Sequence, residues 1–463
     1  MHDQQTQSTH QRGLLIGILT GVVATAFEAV AVATVMPAAA AELGNIGLYA
    51  WAFTLFVIGM VFSTVVAGRL VDAMGPVRPL GGGMAIFMIG LALGGLAPTM
   101  GLLIASRFVQ GLGAGAVNLG LMVVVARAFS QEDRARVMTA FSFCWVFPAF
   151  VGPPIAAWLS AHVGWQWVFW AGIPLMAVAS GLTARPLLAM AHVHVVADPE
   201  ATRPVPVWTA LAAAVGVALL QVFGQDFGES GVTGRTLGTV LAALVLLGAA
   251  VPRLMPDGFF RLGPGLSPVI ATRALQAGSF FAAEAFLPLS LVQLRGLSLF
   301  EAGLFLTIGS AGWTLGSWLQ SRVWLRLRRD HIIQLGLACT LVGTSGLAVF
   351  GWRPGVGVWL PALGWVVGGL GMGLAMASQS LAVMALSPHE QLGRNTSSLQ
   401  VGEGLGNAAI AGLAGSIFAT LQLQHTPAFT FGWVFSAVVV VAVLSLVVST
   451  RIGPVRNDSS GVG

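Results

Sequence analysis

The chain has 463 residues, 56% of them hydrophobic and only 8% charged. Soluble domains carry about 25% charged residues, so this chain cannot cover itself with polar surface and takes the bilayer as its solvent. Its net charge is +5, and all 22 basic residues are arginines lying between apolar runs rather than along one face, which excludes a nucleic-acid-binding stripe.

The N-terminal MHDQQTQSTHQR (1–12) is polar and lacks a small-residue cleavage site after the first apolar run, so it is expected to be a cytoplasmic tail. A spanning helix needs about 20 mostly apolar residues. Six spans are predicted near 13–41, 47–71, 79–97, 99–128, 137–160 and 165–184. After a loop at 185–206, a linker pair follows near 207–224 and 236–255, with Pro252 and Arg253 intruding at its end. If that pair is re-entrant the total is twelve. Six more spans are predicted near 266–294, 301–321, 332–351, 356–386, 396–422 and 428–450, making fourteen, with a tail at 451–463.

Arginine placement orients this map. Seventeen arginines fall on or beside the segments on the N-terminal side, three (Arg235, Arg295, Arg353) on the other, and Arg107 and Arg273 within spans. This positive-inside bias puts both termini in the cytoplasm of a cell with an inner (plasma) membrane.

In chain order, the first span holds one ionisable residue, Glu28, in FEAVAVATVMP (27–37). A carboxyl in hydrocarbon is neutralised, paired or functional. GRLVDAMGPVRPL (68–80) ends the second span and starts the third. There Gly68 allows close helix approach, and Asp72 can accept hydrogen bonds from a helix N-terminus or from Arg78 across the Gly75 turn; an ordinary capped loop fits equally. LIASRFVQGLGAGA (103–116) sets Arg107 inside the fourth span with Gln110 one turn on. The interior reading competes with a snorkelling arginine. Gly152-Pro153-Pro154 bends the fifth span, as a rocking element or as a tolerated kink. Glu284 and Glu403 are the remaining acids at membrane depth, each with a neutral hydrogen-bonded carboxyl as its alternative. Gln110, Asn118, Trp145, Gly152, Pro153, Trp313 and Gln379 are the candidate cavity residues, with lipid-facing or interfacial positions the alternative for the tryptophans.

The halves echo each other. Gln110–Gly115 returns as Gly368–Gly373, GRLVDAMGPVR (68–78) as GSWLQSRVWLR (316–326), and Arg134 as Arg394. Arg107 then matches Trp365, and Asp72 matches Gln320, so ion coupling is expected to concentrate in the first half.

These motifs resemble the major facilitator superfamily, in particular its drug:proton antiporter branches. Gly68, Leu70, Asp72 and Gly75 match the loop motif, although Ala73, Pro76 and Val77 stand where basic residues are usual. Arg107, Gln110, Gly111 and Gly113 match the fourth-span motif. Gly152-Pro153 match the fifth-span core, with Pro148, Ala156 and Ala157 in place of glycines. FEAVAVATVMP looks like the first-span motif of the fourteen-helix exporters, with Glu28 for the usual aspartate, and GWQWVFWAGIP (164–174) resembles a sixth-span entry.

The resemblance implies an all-α membrane protein of two pseudo-symmetric six-helix bundles, 13–184 and 256–450, with linker helices at 207–255. It implies proton-coupled export of lipophilic or cationic small molecules by alternating access, with Glu28, Arg107, Glu284 and Glu403 handling protons and Gly68, Asp72, Gly75 and Arg78 as a conformational latch. The expected partners are a small-molecule substrate, protons and the lipid bilayer, acting on a monomer without nucleic acid, metal or cofactor. Export of an endogenous lipid or metabolite is the alternative within this class. A membrane-embedded lipid-modifying enzyme or a transporter-like sensor is the alternative outside it, and His192-x-His194 is too sparse for a catalytic metal.

Overall fold

A computed structural model describes residues 2–129, 131–190, 207–322, 327–353, 355–388 and 391–455. The side chains of residues 1–12, 72 and 145, and all of 191–206, lie outside the described set, so the readings of Asp72, Trp145, His192 and His194 do too. Among the described residues there are fourteen α-helices and no strand.

In order they are α1 (His2–Leu43), α2 (Trp51–Met74), α3 (Val77–Gly95), α4 (Met100–Ala128), α5 (Gln131–His162), α6 (Gln166–Met190), α7 (Val207–Ser230), α8 (Gly234–Leu254), α9 (Leu266–Arg295), α10 (Leu299–Gln320), α11 (Arg329–Trp352), α12 (Trp359–Leu386), α13 (Leu392–Leu421) and α14 (Pro427–Ser449). Twelve are long and apolar enough to cross a membrane. The other two are α5, which opens on the charged Gln131–Arg136 run, and α10, which carries Glu301, Thr307, Ser310, Thr314, Ser317 and Gln320.

Side-chain caps fix several starts. Thr99 caps α4, Thr233 and Thr236 form a capping box on α8, Ser298 and Glu301 form another on α10, and Thr426 caps α14. Three boundaries differ from the sequence expectation. The tail is continuous with α1, because no Gly or Pro precedes Gly13. The segment after 184 continues α6 through Pro186. The linker pair is two full helices and not a re-entrant hairpin. Pro252 falls in the last turn of α8, where a lost hydrogen bond matters least, and the Arg253 guanidinium donates to the Ala249 carbonyl and lies 5.1 Å over Trp208.

The chain divides into two compact units, one of residues 1–44 and 55–207, the other of 45–54 and 208–463. The linker helices therefore belong with the second. Within each unit the repeat appears at atomic contact. A Cβ on Gly111 or Gly115 of α4 would collide with the Phe56 and Met60 carbonyls of α2, and one on Gly113 would strike the Phe87 backbone of α3. In the second unit Gly369 and Gly373 of α12 meet the Gly309 and Trp313 carbonyls of α10, while Gly371 meets the Gly336 carbonyl of α11. The same three glycines, in the same order, seat α4 between α2 and α3 and α12 between α10 and α11. Such small-residue seams are how helices associate in lipid, where no hydrophobic force drives them together.

Not every glycine acts this way. A Cβ on Gly68 would meet Leu119 at 3.7 Å, ordinary contact, so the close approach expected there is not required. Gly113→Ala is expected to cost about 1–3 kcal/mol, the usual range for forced overpacking. It should lower the thermal unfolding midpoint in detergent, with Gly371→Ala behaving alike and Gly68→Ala leaving the midpoint unchanged.

Candidate functional site

The first unit buries a charge cluster at the motif residues. Glu28 on α1 and Arg107 on α4 are each 2% exposed, and Gln110, one turn along α4, is fully buried. Arg107 Nη1 donates to Glu28 Oε1 and to Gln110 Oε1, the latter at 2.5 Å. Gln110 Nε2 in turn donates to the Gly90 carbonyl of α3 at 3.0 Å. The guanidinium carbon lies 4.3 Å from the Phe56 ring centroid of α2, adding a cation–π contact. Glu28 of α1, Phe56 of α2 and Gln110 of α4 thus meet the guanidinium, and α3 joins through Gln110. Arg107 is an interior residue, and the snorkelling alternative is excluded by its burial and by its acidic partner.

Glu28 Oε2 is buried and has no hydrogen-bond partner among the described residues. An orphan buried oxygen costs about 1–3 kcal/mol, and attaching a proton turns such an oxygen into a neutral hydroxyl. The fifth-span motif adjoins this acid. A Cβ on Gly152 of α5 would meet Val30 at 2.7 Å, with Phe27 close behind, so the Gly152-Pro153 segment packs on the α1 turn that carries Glu28.

The second unit holds a partly buried pair of its own, although ion coupling was expected to concentrate in the first half, with Glu403 among the candidates. Arg273 of α9 reaches Glu403 of α13 through Nε and Nη2, both at 2.8 Å, and its Nη1 donates to the Met376 carbonyl of α12 at 2.6 Å. Arg273 is 9% exposed and the Glu403 side chain 25%. Next to it, Gln379 Nε2 donates to Gln276 Oε1 at 3.2 Å, and Gln276 Nε2 to Thr340 Oγ1 at 3.1 Å. Gln379 is fully buried in this network rather than facing open space. At the Arg107 echo position Trp365 stacks on Phe280, with centroids 4.4 Å apart and planes 11° apart.

The other candidates are dispersed. Glu284 on α9 is half-buried, with no hydrogen bond or ion pair among the described residues. Trp313 is half-buried against Phe280 and Phe281, and Asn118 is exposed. In the loop motif, Gly75 closes α2 at φ 79°, a conformation suited to glycine, and its N–H donates to the Val71 carbonyl at 2.9 Å. Arg78 is exposed. The second unit rebuilds that corner differently. Gln320 accepts from Arg329 at 2.9 Å, while the acid, Asp330, accepts from Arg328 at 3.0 and 2.7 Å and from the Val455 N–H at 3.1 Å.

Sequence reasoning missed Arg273 as a site residue, together with Phe56 and Gln276. Arg273 carried a usable signal, because it and Arg107 are the two arginines inside spans. Phe56 carried none, since it does not differ in type from its apolar neighbours, while Gln276, an amide between Leu275 and Ala277, carried a weak one.

The Major Facilitator Superfamily family model matches residues 17–410. An uncharacterised MFS-type transporter of Mycobacterium tuberculosis is 27% identical over 86% of this chain and 59% of its own length, so the chain spans under two thirds of that relative. The multidrug transporter MdtP of Bacillus subtilis is 24% identical over 85% of this chain and 72% of its own. The methylenomycin A resistance protein of Streptomyces coelicolor is 24% identical over 82% and 80%. Among solved structures, the POT family transporter PepTSo superposes with a TM-score of 0.70 at 14% identity, covering 95% of this chain and 98% of that one, which speaks to the fold alone. With the family model covering most of its length and its fourth-helix motif assembled as described, the chain is a member of the Major Facilitator Superfamily, a multi-pass membrane protein.

Proposed function

We propose that this transporter exports lipophilic or cationic small molecules in exchange for protons, and that Glu28 is the residue that carries the proton. The observation behind this is the buried Glu28–Arg107–Gln110 cluster with its unpartnered Glu28 oxygen. The relatives named for multidrug transport and for antibiotic resistance support the substrate class.

The geometry supports a cycle of this kind. With the pair closed, Glu28 is a carboxylate neutralised by Arg107. A proton on Glu28 removes the charge that holds Arg107. The guanidinium still has Gln110 and Phe56 among its contacts, and the ionic tie between α1 and α4 is loosened. Because the Gly152-Pro153 segment packs on the same turn of α1, a shift there can pass into α5. Each proton moving down the membrane potential supplies about 2.3 kcal/mol per 100 mV, enough to drive export against a moderate gradient. Glu284 and the Glu403–Arg273 pair are further candidate coupling groups in the second unit. Asp72, Gly75 and Arg78 fit a latch at the end of α2, and a plasma membrane location with both termini cytoplasmic follows from the arginine bias.

Proteoliposomes test this reading. Glu28→Gln keeps the volume and the hydrogen bonding but cannot titrate. It is expected to bind substrate in detergent and to equilibrate it across the membrane, yet not to accumulate it under a pH gradient. Glu28→Asp should keep partial uphill activity. Undiminished uphill transport by Glu28→Gln would move the coupling role to Glu284 or Glu403.

Arg107→Ala should abolish uphill transport, since the proton-loaded and proton-free states lose the cation that tells them apart. Wild-type rates in that variant would reduce Arg107 to a packing residue. Asp72→Asn should slow turnover more than it weakens equilibrium substrate binding, and equal losses in both would count against a latch.

A further inference from the structure

Residues 45–54, most of the α1–α2 connection with the first turn of α2, are flanked on both sides by chain of the first unit, yet they belong to the second unit. Tyr49, the one tyrosine in the sequence, fixes them there. Its ring is fully buried, with Phe53, Phe286 and Phe418 centroids at 5.4, 5.5 and 6.4 Å. Its hydroxyl donates to the Ala285 carbonyl of α9 at 2.8 Å. Gln225 of α7 donates to the Gly47 carbonyl at 3.4 Å, and Ala50 sits so close to Gly415 of α13 that any side chain at 415 would collide with it.

Both ends of this docking carry a weak point. Gly44 and Asn45, at the boundary between the units, are both left-handed, with φ of 71° and 54°, a two-residue swivel that glycine and asparagine tolerate. On α9, Pro288 has no N–H to give the Glu284 carbonyl four residues earlier, so that turn lacks one of its backbone hydrogen bonds. Tyr49 holds the neighbouring carbonyl of that turn, one residue from the Glu284 carboxyl.

We propose that residues 45–54 are a releasable latch with Tyr49 as its bolt, docked on α9 and α13 in this state and undocked in another phase of the transport cycle. The inference rests on the alternating-access reading. When one unit moves against the other, a segment tethered to the first and docked in the second must be either carried along or let go. The swivel at 44–45, and a bolt that closes through one side-chain hydroxyl, suit letting go.

The lone tyrosine makes the test direct, because any nitration by tetranitromethane detected by intact mass is nitration of Tyr49. At mildly alkaline pH, proteoliposomes at rest should nitrate far more slowly than unfolded chain. The rate should rise several-fold when ethidium is supplied with a pH gradient. Tyr49→Phe, which keeps the packing, should shift the docked-to-released balance about fivefold, the usual worth of one hydrogen bond. That shift should change ethidium turnover while leaving the unfolding midpoint nearly unchanged. Nitration that stays at its resting rate while the wild type pumps ethidium uphill overturns the latch and leaves export standing, as does a Tyr49→Phe variant whose midpoint falls with turnover unaltered. Nitration that rises with ethidium alone, without uphill transport, supports the latch and overturns proton coupling instead.

Discussion

One buried ion pair organises the first unit. Glu28 and Arg107 are both closed off from solvent, and a lone charge in that setting would cost several kcal/mol. Each therefore needs the other, and the helices that carry them must stay within reach. The glycines of α4 make this possible. Gly111 and Gly115 draw α2 in so that Phe56 lies over the guanidinium, and Gly113 draws in α3, whose Gly90 carbonyl anchors Gln110. The seam that packs the bundle is also what aims the arginine. A pair this dependent on close packing is sensitive to small displacements, which is what a coupling device requires.

The second unit uses the same scaffold with different charges. The glycine seam is conserved between the halves down to which neighbour each glycine meets, but Trp365 stacked on Phe280 stands where Arg107 would be. The cation comes instead from Arg273 on α9 and the acid from Glu403 on α13. In the repeat, α1 and α9 thus each anchor one acid–arginine pair, with the signs exchanged and the second pair only partly buried. Glu284 adds a half-buried acid without a partner among the described residues, so the two halves offer chemically distinct sites on a shared frame.

Much of this was legible in the chain. Apolar runs located the fourteen helices, twelve of which are long and apolar enough to span a bilayer, because there the backbone must satisfy itself and length is nearly decisive. The Gly-rich echo at 110–115 and 368–373 located the seam. Two things were hidden. Pro252 and Arg253 made α8 look broken, although a proline in a final turn costs little and a long arginine can reach back to cap its own helix. The pairing of Arg273 with Glu403 was hidden as well, because 130 residues separate them and only packing brings α9 and α13 together. Tyr49 carried no signal at all. Nothing about one tyrosine in a loop announces that the loop docks with the other half of the chain.

The central claim is that Glu28 exchanges a proton as part of binding or moving substrate. The most direct measurement is of the proton itself. Purified protein in weakly buffered detergent solution is mixed with ethidium while a pH indicator reads proton release, and the release is followed as the starting pH is varied. The account predicts substrate-linked proton release by the wild type that disappears in Glu28→Gln while ethidium still binds. Equal release by both proteins would contradict it and place the titrating carboxyl elsewhere.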